Sequence, residues 1–188
     1  MNALSACIVS LFIASVGFSA PARAMGRGSS AEPNVVQAVD LDRYAGDWHE
    51  IAHAPNWFQS KCMQSLAHYE KLDDAHVSVF NTCYKKNGGV STIRGYATIP
   101  DSKVPAKLLV RFKILGLFPV KGDYWIVDLG KDYDYAVVSD SVKKSLFILS
   151  REAPMPREKL DVILNSLSER GFRVDNLFFD HYAADAEK

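Results

Sequence analysis

Leu41-Asp42-Arg43-Tyr44-Ala45-Gly46-Asp47-Trp48-His49-Glu50-Ile51-Ala52 is the stretch on which the fold turns. It follows a Gly/Ser-rich segment and opens the first strand-like run. Gly46 lets the backbone take a φ that other residues resist, or pass close to a neighbour. Trp48 offers a large apolar body with one N–H that needs a partner. Leu41 to Tyr44 reads as a short helical turn closing one end of the domain. Far downstream, Leu146-Phe147-Ile148-Leu149-Ser150-Arg151 is a second strand-like run ending in a cation. An arginine there can cover the Trp48 face, a contact worth roughly 0.5–2 kcal/mol.

Between these two runs lies Asp132-Tyr133-Asp134-Tyr135-Ala136-Val137-Val138, and a helical pattern follows Arg151. The order Gly-x-Trp, Asp-Tyr-Asp-Tyr, strand ending in Arg, then helix resembles the lipocalin family. The likeness is to its branch of bacterial outer-membrane lipocalins and apolipoprotein D, and it spans roughly Val39 to Tyr182. It implies an all-β fold: an eight-stranded up-and-down antiparallel barrel with one C-terminal α-helix packed outside. It also implies that Gly46, Trp48 and Arg151 are structural, and that the barrel carries a small hydrophobic molecule.

The residues support the same architecture. Strand-like runs recur at about 46–53, 64–71, 76–85, 91–99, 107–114, 123–129, 134–140 and 145–150. Turn chemistry separates them: Asp73-Asp74, Asn87-Gly88-Gly89, Pro100-Asp101, Gly116, Lys121-Gly122 and Gly130-Lys131. Eight short strands with hairpin-length connections point to a closed antiparallel barrel, which leaves no free edge. After Pro154 and Pro156, Leu160, Ile163, Leu164 and Leu167 recur at helical spacing, and Gly171 stands where a helix ends. Asn176 to Tyr182 reads as a ninth, edge-type strand.

The chain of 188 residues has zero formal net charge, with 48% hydrophobic and 23% charged residues. That is ordinary for one globular domain, and no basic stripe points to nucleic acid. Residues 1–24 read as a signal peptide ending in Ala22-Arg23-Ala24. Leu4-Ser5-Ala6-Cys7 spells a lipobox-like tetrad, but too little apolar sequence precedes it to serve as a signal. The mature protein is expected in the periplasm, free or associated with the outer membrane. Residues 25–38 read as a flexible arm, 39–182 as the barrel domain and 183–188 as a polar tail. Two cysteines remain, Cys62 and Cys83, and an exported pair reads as a disulfide. No metal or cofactor is expected.

Function then rests on the side chains facing the bore, because a barrel of eight strands either fills itself or holds one small ligand. From Trp48 inward, alternation adds Glu50 and Ala52. The resemblance sets the phase elsewhere: Ala67 and Tyr69; Val77, Val79 and Asn81; Ile93, Gly95 and Ala97; Leu108, Val110 and Phe112; Tyr124 and Ile126; Val137 and Ser139; Phe147. The expected ligand contacts are Glu50, Ala67, Tyr69, Asn81, Val110, Phe112, Tyr124 and Phe147. Small residues on one wall leave room for a ligand, and Asn81, Glu50 and the two tyrosine hydroxyls are its polar contacts. Alternatively, these polar groups satisfy one another or hold water.

A fatty acid or lysophospholipid suits this lining. The alternatives are a pigment or tetrapyrrole, or a lipocalin-fold enzyme such as an isomerase, for which Glu50 with Tyr69 is the one bore-facing pair available. The five histidines read as ordinary surface residues. At the mouth, Pro55-Asn56-Trp57-Phe58 and Leu115-Gly116-Leu117-Phe118-Pro119 form an apolar rim for a membrane or a second subunit. Otherwise these loops fold inward and plug the bore. Monomer and dimer both remain open.

Overall fold

The computed structural model describes residues 31–114 and 117–182. The signal-peptide reading, the polar tail, Cys7, Leu115 and Gly116 lie outside the described residues. A four-residue helix, α1 (Leu41–Tyr44), leads into β1 (Gly46–His53). Asp40 caps it, its carboxylate accepting from the N–H groups of Asp42 and Arg43. There follow β2 (Cys62–Lys71), β3 (His76–Lys85), β4 (Val90–Thr98), β5 (Lys107–Ile114), β6 (Phe118–Leu129), β7 (Tyr135–Ser139) and β8 (Leu146–Ser150). Each strand pairs antiparallel with the next, and β1 pairs with both β2 and β8, so the sheet closes into an eight-stranded barrel.

One break differs from expectation. The chain runs as strand through Lys121-Gly122, with Gly122 opposite Val110, so the hairpin turns earlier, before Phe118. The arm also differs: Pro33 is buried, Val35 and Val36 pack on the core, and the Val36 N–H donates to the Ile126 carbonyl at 3.0 Å. From Pro33 onward the chain is therefore docked on the barrel.

The apolar residues sort into two cores. Inside the bore lie Trp48, Tyr69, Val77, Val79, Ala97, Leu108, Ile126, Val138 and Leu149. Outside, α2 (Arg157–Glu169) lays Leu160, Ile163 and Leu167 on Ile51, Ala52, Val127, Val137 and Ile148. Each fully buried aliphatic side chain contributes about 1.5–3 kcal/mol. The helix ends as Gly171 predicts. Its φ is +78°, its N–H donates to the Ser168 carbonyl, and the Phe172 N–H donates to the Leu167 carbonyl.

Two inward assignments are corrected by this sorting. Ala52 faces out under α2, because β1 bulges between Glu50 and Ala52: Glu50 opposes Leu149, yet Ala52 already opposes Ile148. Val137 and Ser139 face out as well. Inward Ile126 lies opposite Val138, and directly opposed residues share a face, so Ala136 and Val138 fill the bore instead.

The ninth strand shrinks to β9 (Phe178–Phe179) and works as a wedge. β1 leaves β2 after His49, and β9 takes up the vacated edge, with Phe179 opposite Ala52 and Phe178 opposite His53. The next two residues bridge the splayed strands. The Asp180 N–H donates to Ile51 on β1 at 3.0 Å, and the His181 N–H to Met63 on β2 at 2.8 Å.

Candidate functional site

The closed end of the barrel gathers all three sequence motifs. The Arg151 guanidinium lies 3.9 Å from the Trp48 ring centroid. It donates from Nη1 to the Asp47 carbonyl at 2.7 Å, and from Nη2 to Arg43 at 2.7 Å and Ala45 at 2.8 Å. Its Nε donates to the Tyr133 carbonyl at 3.3 Å, and its backbone N–H to that of Asp134 at 2.9 Å. Trp48 Nε1–H finds the Tyr44 carbonyl at 2.8 Å. Gly46 has φ +95°, and a Cβ there would stand 3.3 Å from Arg151 Nη1. Conformation and close approach both call for glycine.

Above Trp48, three tyrosines form the floor of the bore. The Tyr44 and Tyr124 hydroxyls are 2.8 Å apart, and Tyr124 donates to Tyr69 at 3.0 Å. Burial holds all three hydroxyls well above the ordinary tyrosine range. The Tyr69 and Tyr124 hydroxyls thus satisfy each other directly, and Tyr124 is joined as well to Tyr44, which is absent from the expected bore lining.

Towards the mouth the wall changes. Ala67, Asn81, Ile93, Val110, Phe112 and Phe147 face inward and are only half-buried, whereas Val77, Val79, Ala97 and Leu108 below them are buried. Solvent therefore reaches into the upper bore. The wall residues named here are apolar apart from Asn81, whose buried Oδ1 has no hydrogen-bond partner among the described residues. Such an oxygen costs free energy until a donor reaches it. Cys62 and Cys83 are joined, Cα atoms 5.4 Å apart, stapling β2 to β3 near the rim.

Glu50 faces inward as expected, but it belongs to a cluster. Gln59, reaching in from the β1–β2 loop, donates from Nε2 to both Glu50 oxygens at 2.9 Å and to Ser65 Oγ at 3.3 Å. His53, turned inward by the β1 bulge, places Nε2 3.9 Å from Glu50 Oε1. Asp180 arrives on the wedge and accepts the Ser65 N–H at 2.5 Å through Oδ2. Burial raises the Glu50 carboxyl well above the ordinary range, with the nearby Asp180 charge adding to it. Burial likewise raises Asp180 and lowers His53. His53 is thus not the surface histidine expected. The bulge that buries it leaves no mark in the alternation, and Asp180 lies 130 residues from Glu50. The one signal was an acid set directly behind two phenylalanines.

The β1–β2 loop divides its residues. Asn56 and Gln59 turn inward, Asn56 Nδ2 donating to Gln59 Oε1 at 2.7 Å. Trp57 and Phe58 point out, 76% and 59% exposed, with their rings edge to face at 5.8 Å. Leu117, across the mouth, is 77% exposed. A cavity of about 450 Å³ opens between this loop and the wedge, with His53, Gln59, Phe178 and Asp180 in its wall.

A closed eight-stranded barrel with an external helix, a tryptophan–arginine clamp at one end and an open apolar bore at the other defines a class of small-molecule carriers. The lipocalin-like domain family matches residues 39–181, and the chain belongs to that family. Its members generally bind small hydrophobic molecules. Temperature-induced lipocalin-1 of Arabidopsis thaliana is 34% identical over 151 residues, covering 78% of this chain and 81% of that protein. Outer membrane lipoprotein Blc of Vibrio cholerae is 29% identical over 157 residues, covering 82% and 88%. Insecticyanin from the tobacco hornworm Manduca sexta superimposes with a TM-score of 0.66 at 25% identity, covering 86% and 89%. Mammalian apolipoproteins D also match, over about 80% of this chain, which bears out the branch that the motifs suggest.

Proposed function

We propose that the barrel binds one single-chain amphiphile, a fatty acid or lysophospholipid, in the cell envelope, and that it does so without chemistry. The observation that carries this reading is the upper bore: an apolar wall of Ala67, Val110, Phe112 and Phe147, half-buried around the unpartnered oxygen of Asn81. A hydrocarbon tail supplies the missing apolar contact, at about 0.8 kcal/mol per buried CH₂. A hydroxyl near the head supplies a donor for Asn81, which favours a lysophospholipid over a simple fatty acid. Glu50 is hydrogen-bonded to Gln59 and Tyr69 to Tyr124, not to each other, which supports binding over catalysis by this pair. The exposed Trp57, Phe58 and Leu117 suit a rim that touches the membrane while ligand passes.

Native mass spectrometry of protein purified from the periplasm, with organic extraction of its cargo, tests the reading. A one-to-one single-chain lipid supports it, and Val110→Trp should abolish uptake by filling the bore. A coloured polycyclic adduct, or empty protein that refuses lysophospholipid, overturns it. For the rim, Trp57→Ser with Phe58→Ser should weaken liposome association. Unchanged association removes the membrane contact.

A further inference from the structure

We propose that Glu50, His53 and Asp180 form a binding site for a zinc-class divalent metal ion at the rim of the barrel. One ligand atom from each of the three lies within 4.8 Å of the other two, and all three residues are buried. The histidine is prepared for this role. Its Nδ1 lies 2.8 Å from the Ala54 carbonyl, an acceptor only, so Nδ1 carries the proton and donates. Asn56 Nδ2 also lies 3.1 Å from Nδ1, but the two protons of that amide have acceptors in Gln59 Oε1 at 2.7 Å and the Ala54 carbonyl at 3.3 Å, so the shorter Nδ1 contact to Ala54 sets the tautomer. Nε2 is left as a bare lone pair with no hydrogen-bond partner among the described residues. It sits on a side chain only 6% exposed and aims at Glu50 Oε1. A histidine whose far N–H is fixed on a backbone carbonyl is the arrangement of metal-bound imidazoles.

The acids point the same way. No Lys or Arg forms an ion pair with Glu50 or Asp180 among the described residues, and His53 is the one basic group beside them. Two buried carboxylates without a cation are costly unless a proton or a metal neutralises them. Their outer contacts hold them in place without filling the centre. Gln59 Nε2 grips Glu50, the Ser65 N–H grips one oxygen of Asp180, and Tyr182 donates from its hydroxyl to the Glu50 carbonyl at 2.7 Å. The second Asp180 oxygen has no partner among the described residues.

The supporting backbone is the β1 bulge and the wedge, pinned across both splayed strands. Zinc bonds of about 2.0–2.1 Å set tetrahedral ligands roughly 3.4 Å apart. The 3.9 Å gap from His53 to Glu50 therefore closes with a small rotation. One imidazole nitrogen with two carboxylates suits zinc or cobalt rather than calcium or magnesium. The 450 Å³ cavity, with His53 and Asp180 in its wall, leaves the fourth position open. The site adjoins the apolar wall, His53 stacking on Phe147 with ring centroids 6.4 Å apart, but its test reads metal and not lipid, so it stands or falls apart from the lipid reading.

The test uses the purified chain, stripped with chelator and titrated with Zn²⁺ by calorimetry. One equivalent should bind. His53→Ala and Asp180→Asn should each weaken binding by on the order of 100-fold or more, beyond the 10–100-fold that loss of an outer-shell partner costs. His68→Ala and His76→Ala, which alter exposed histidines each paired with an aspartate, should leave it unchanged. Should a variant misfold, the wild type still decides the matter. On zinc addition the His53 Nε2 resonance should shift in ring-nitrogen NMR, and Co²⁺ should give intense tetrahedral visible bands. No stoichiometric binding, an unmoved His53 resonance, or loss of binding only in the His68 or His76 variants would overturn the site.

Discussion

Replacing Arg151 with Met tests whether the closed end is held by a charge or merely covered by a long side chain. Methionine keeps most of the apolar stem over Trp48 and removes the guanidinium. Three short bonds disappear, to Asp47, Arg43 and Ala45, each 2.7–2.8 Å. Two weaker ones, to Tyr44 at 3.2 Å and Tyr133 at 3.3 Å, and the stack at 3.9 Å go with them. Hydrogen bonds to a charged group contribute about 1.5–3 kcal/mol each, and the cation–π contact about 1 kcal/mol. Arg151 is only half-buried, so water replaces part of what is lost. Three bonds at the low end, less that replacement, leave a loss of about 3 kcal/mol. For a domain of this size that lowers Tm by roughly 6–12 °C. Arg151→Lys should lie between, because a point charge reaches one or two of these carbonyls and not the whole fan. Equilibrium urea unfolding, followed by tryptophan fluorescence with the disulfide intact, measures both. A Met variant within about 1 kcal/mol of wild type, or a Lys variant equal to it, refutes the clamp.

Other perturbations probe separate parts of the barrel. Gly95→Ala puts a Cβ 2.4 Å from the Arg111 carbonyl oxygen and 2.5 Å from Phe112, so it should cost about 1–3 kcal/mol. An unchanged urea midpoint would show that β4 and β5 do not approach this closely. Removing the disulfide with Cys62→Ser and Cys83→Ser frees a crosslink of sequence separation 21 and should cost about 3 kcal/mol. Reductant should lower the wild-type midpoint and leave the double variant unmoved; equal stability in oxidising buffer would count against the bond. The Lys159 hydrogen bond holds the Asp134 carboxyl below its usual range. Its stabilisation is therefore present above the unfolded value near 3.9 and fades as pH falls through the lower folded value. Both side chains are partly exposed, so the effect stays below about 1 kcal/mol. The Tm gap between wild type and Lys159→Met should narrow from neutral pH to about pH 3. A constant gap refutes the linkage.

The barrel was legible because its signals are local and repeated. Alternation, turn residues and the helical stripe each act over a few positions, and Gly46, Trp48 and Arg151 occupy positions only such a closed end requires. Most of the bore followed from alternation until a bulge intervened. At Glu50–Ala52 one extra residue turned Ala52 out and His53 in. At Ile126–Asp128 another bulge accompanied the β7 phase being one residue off. A bulge costs no characteristic residue, so nothing in the chain announces it. Gln59 and Asp180 escaped for a different reason: their roles come from tertiary meeting of a loop, a bulge and a distant wedge. The rim loop was read as either outward or plugging, and it divides the two, with its amides inward and its aromatics outward.

The wedge of residues 178–182 has a consequence for the order in which the molecule can be completed. β1 is among the first parts of the barrel to leave the ribosome, yet beyond β2 its partners are β8 and the wedge, more than ninety residues later. Until those arrive, the half of β1 that carries Glu50 and His53, past its pairing with β2 at Gly46–His49, has no strand partner. Contacts this distant in sequence form slowly, and an open strand edge invites the wrong neighbour meanwhile. The seam is thus a checkpoint on wholeness: a chain cut short of Asp180 can close β1 on β8 and still leave β1 and β2 unbridged where they splay.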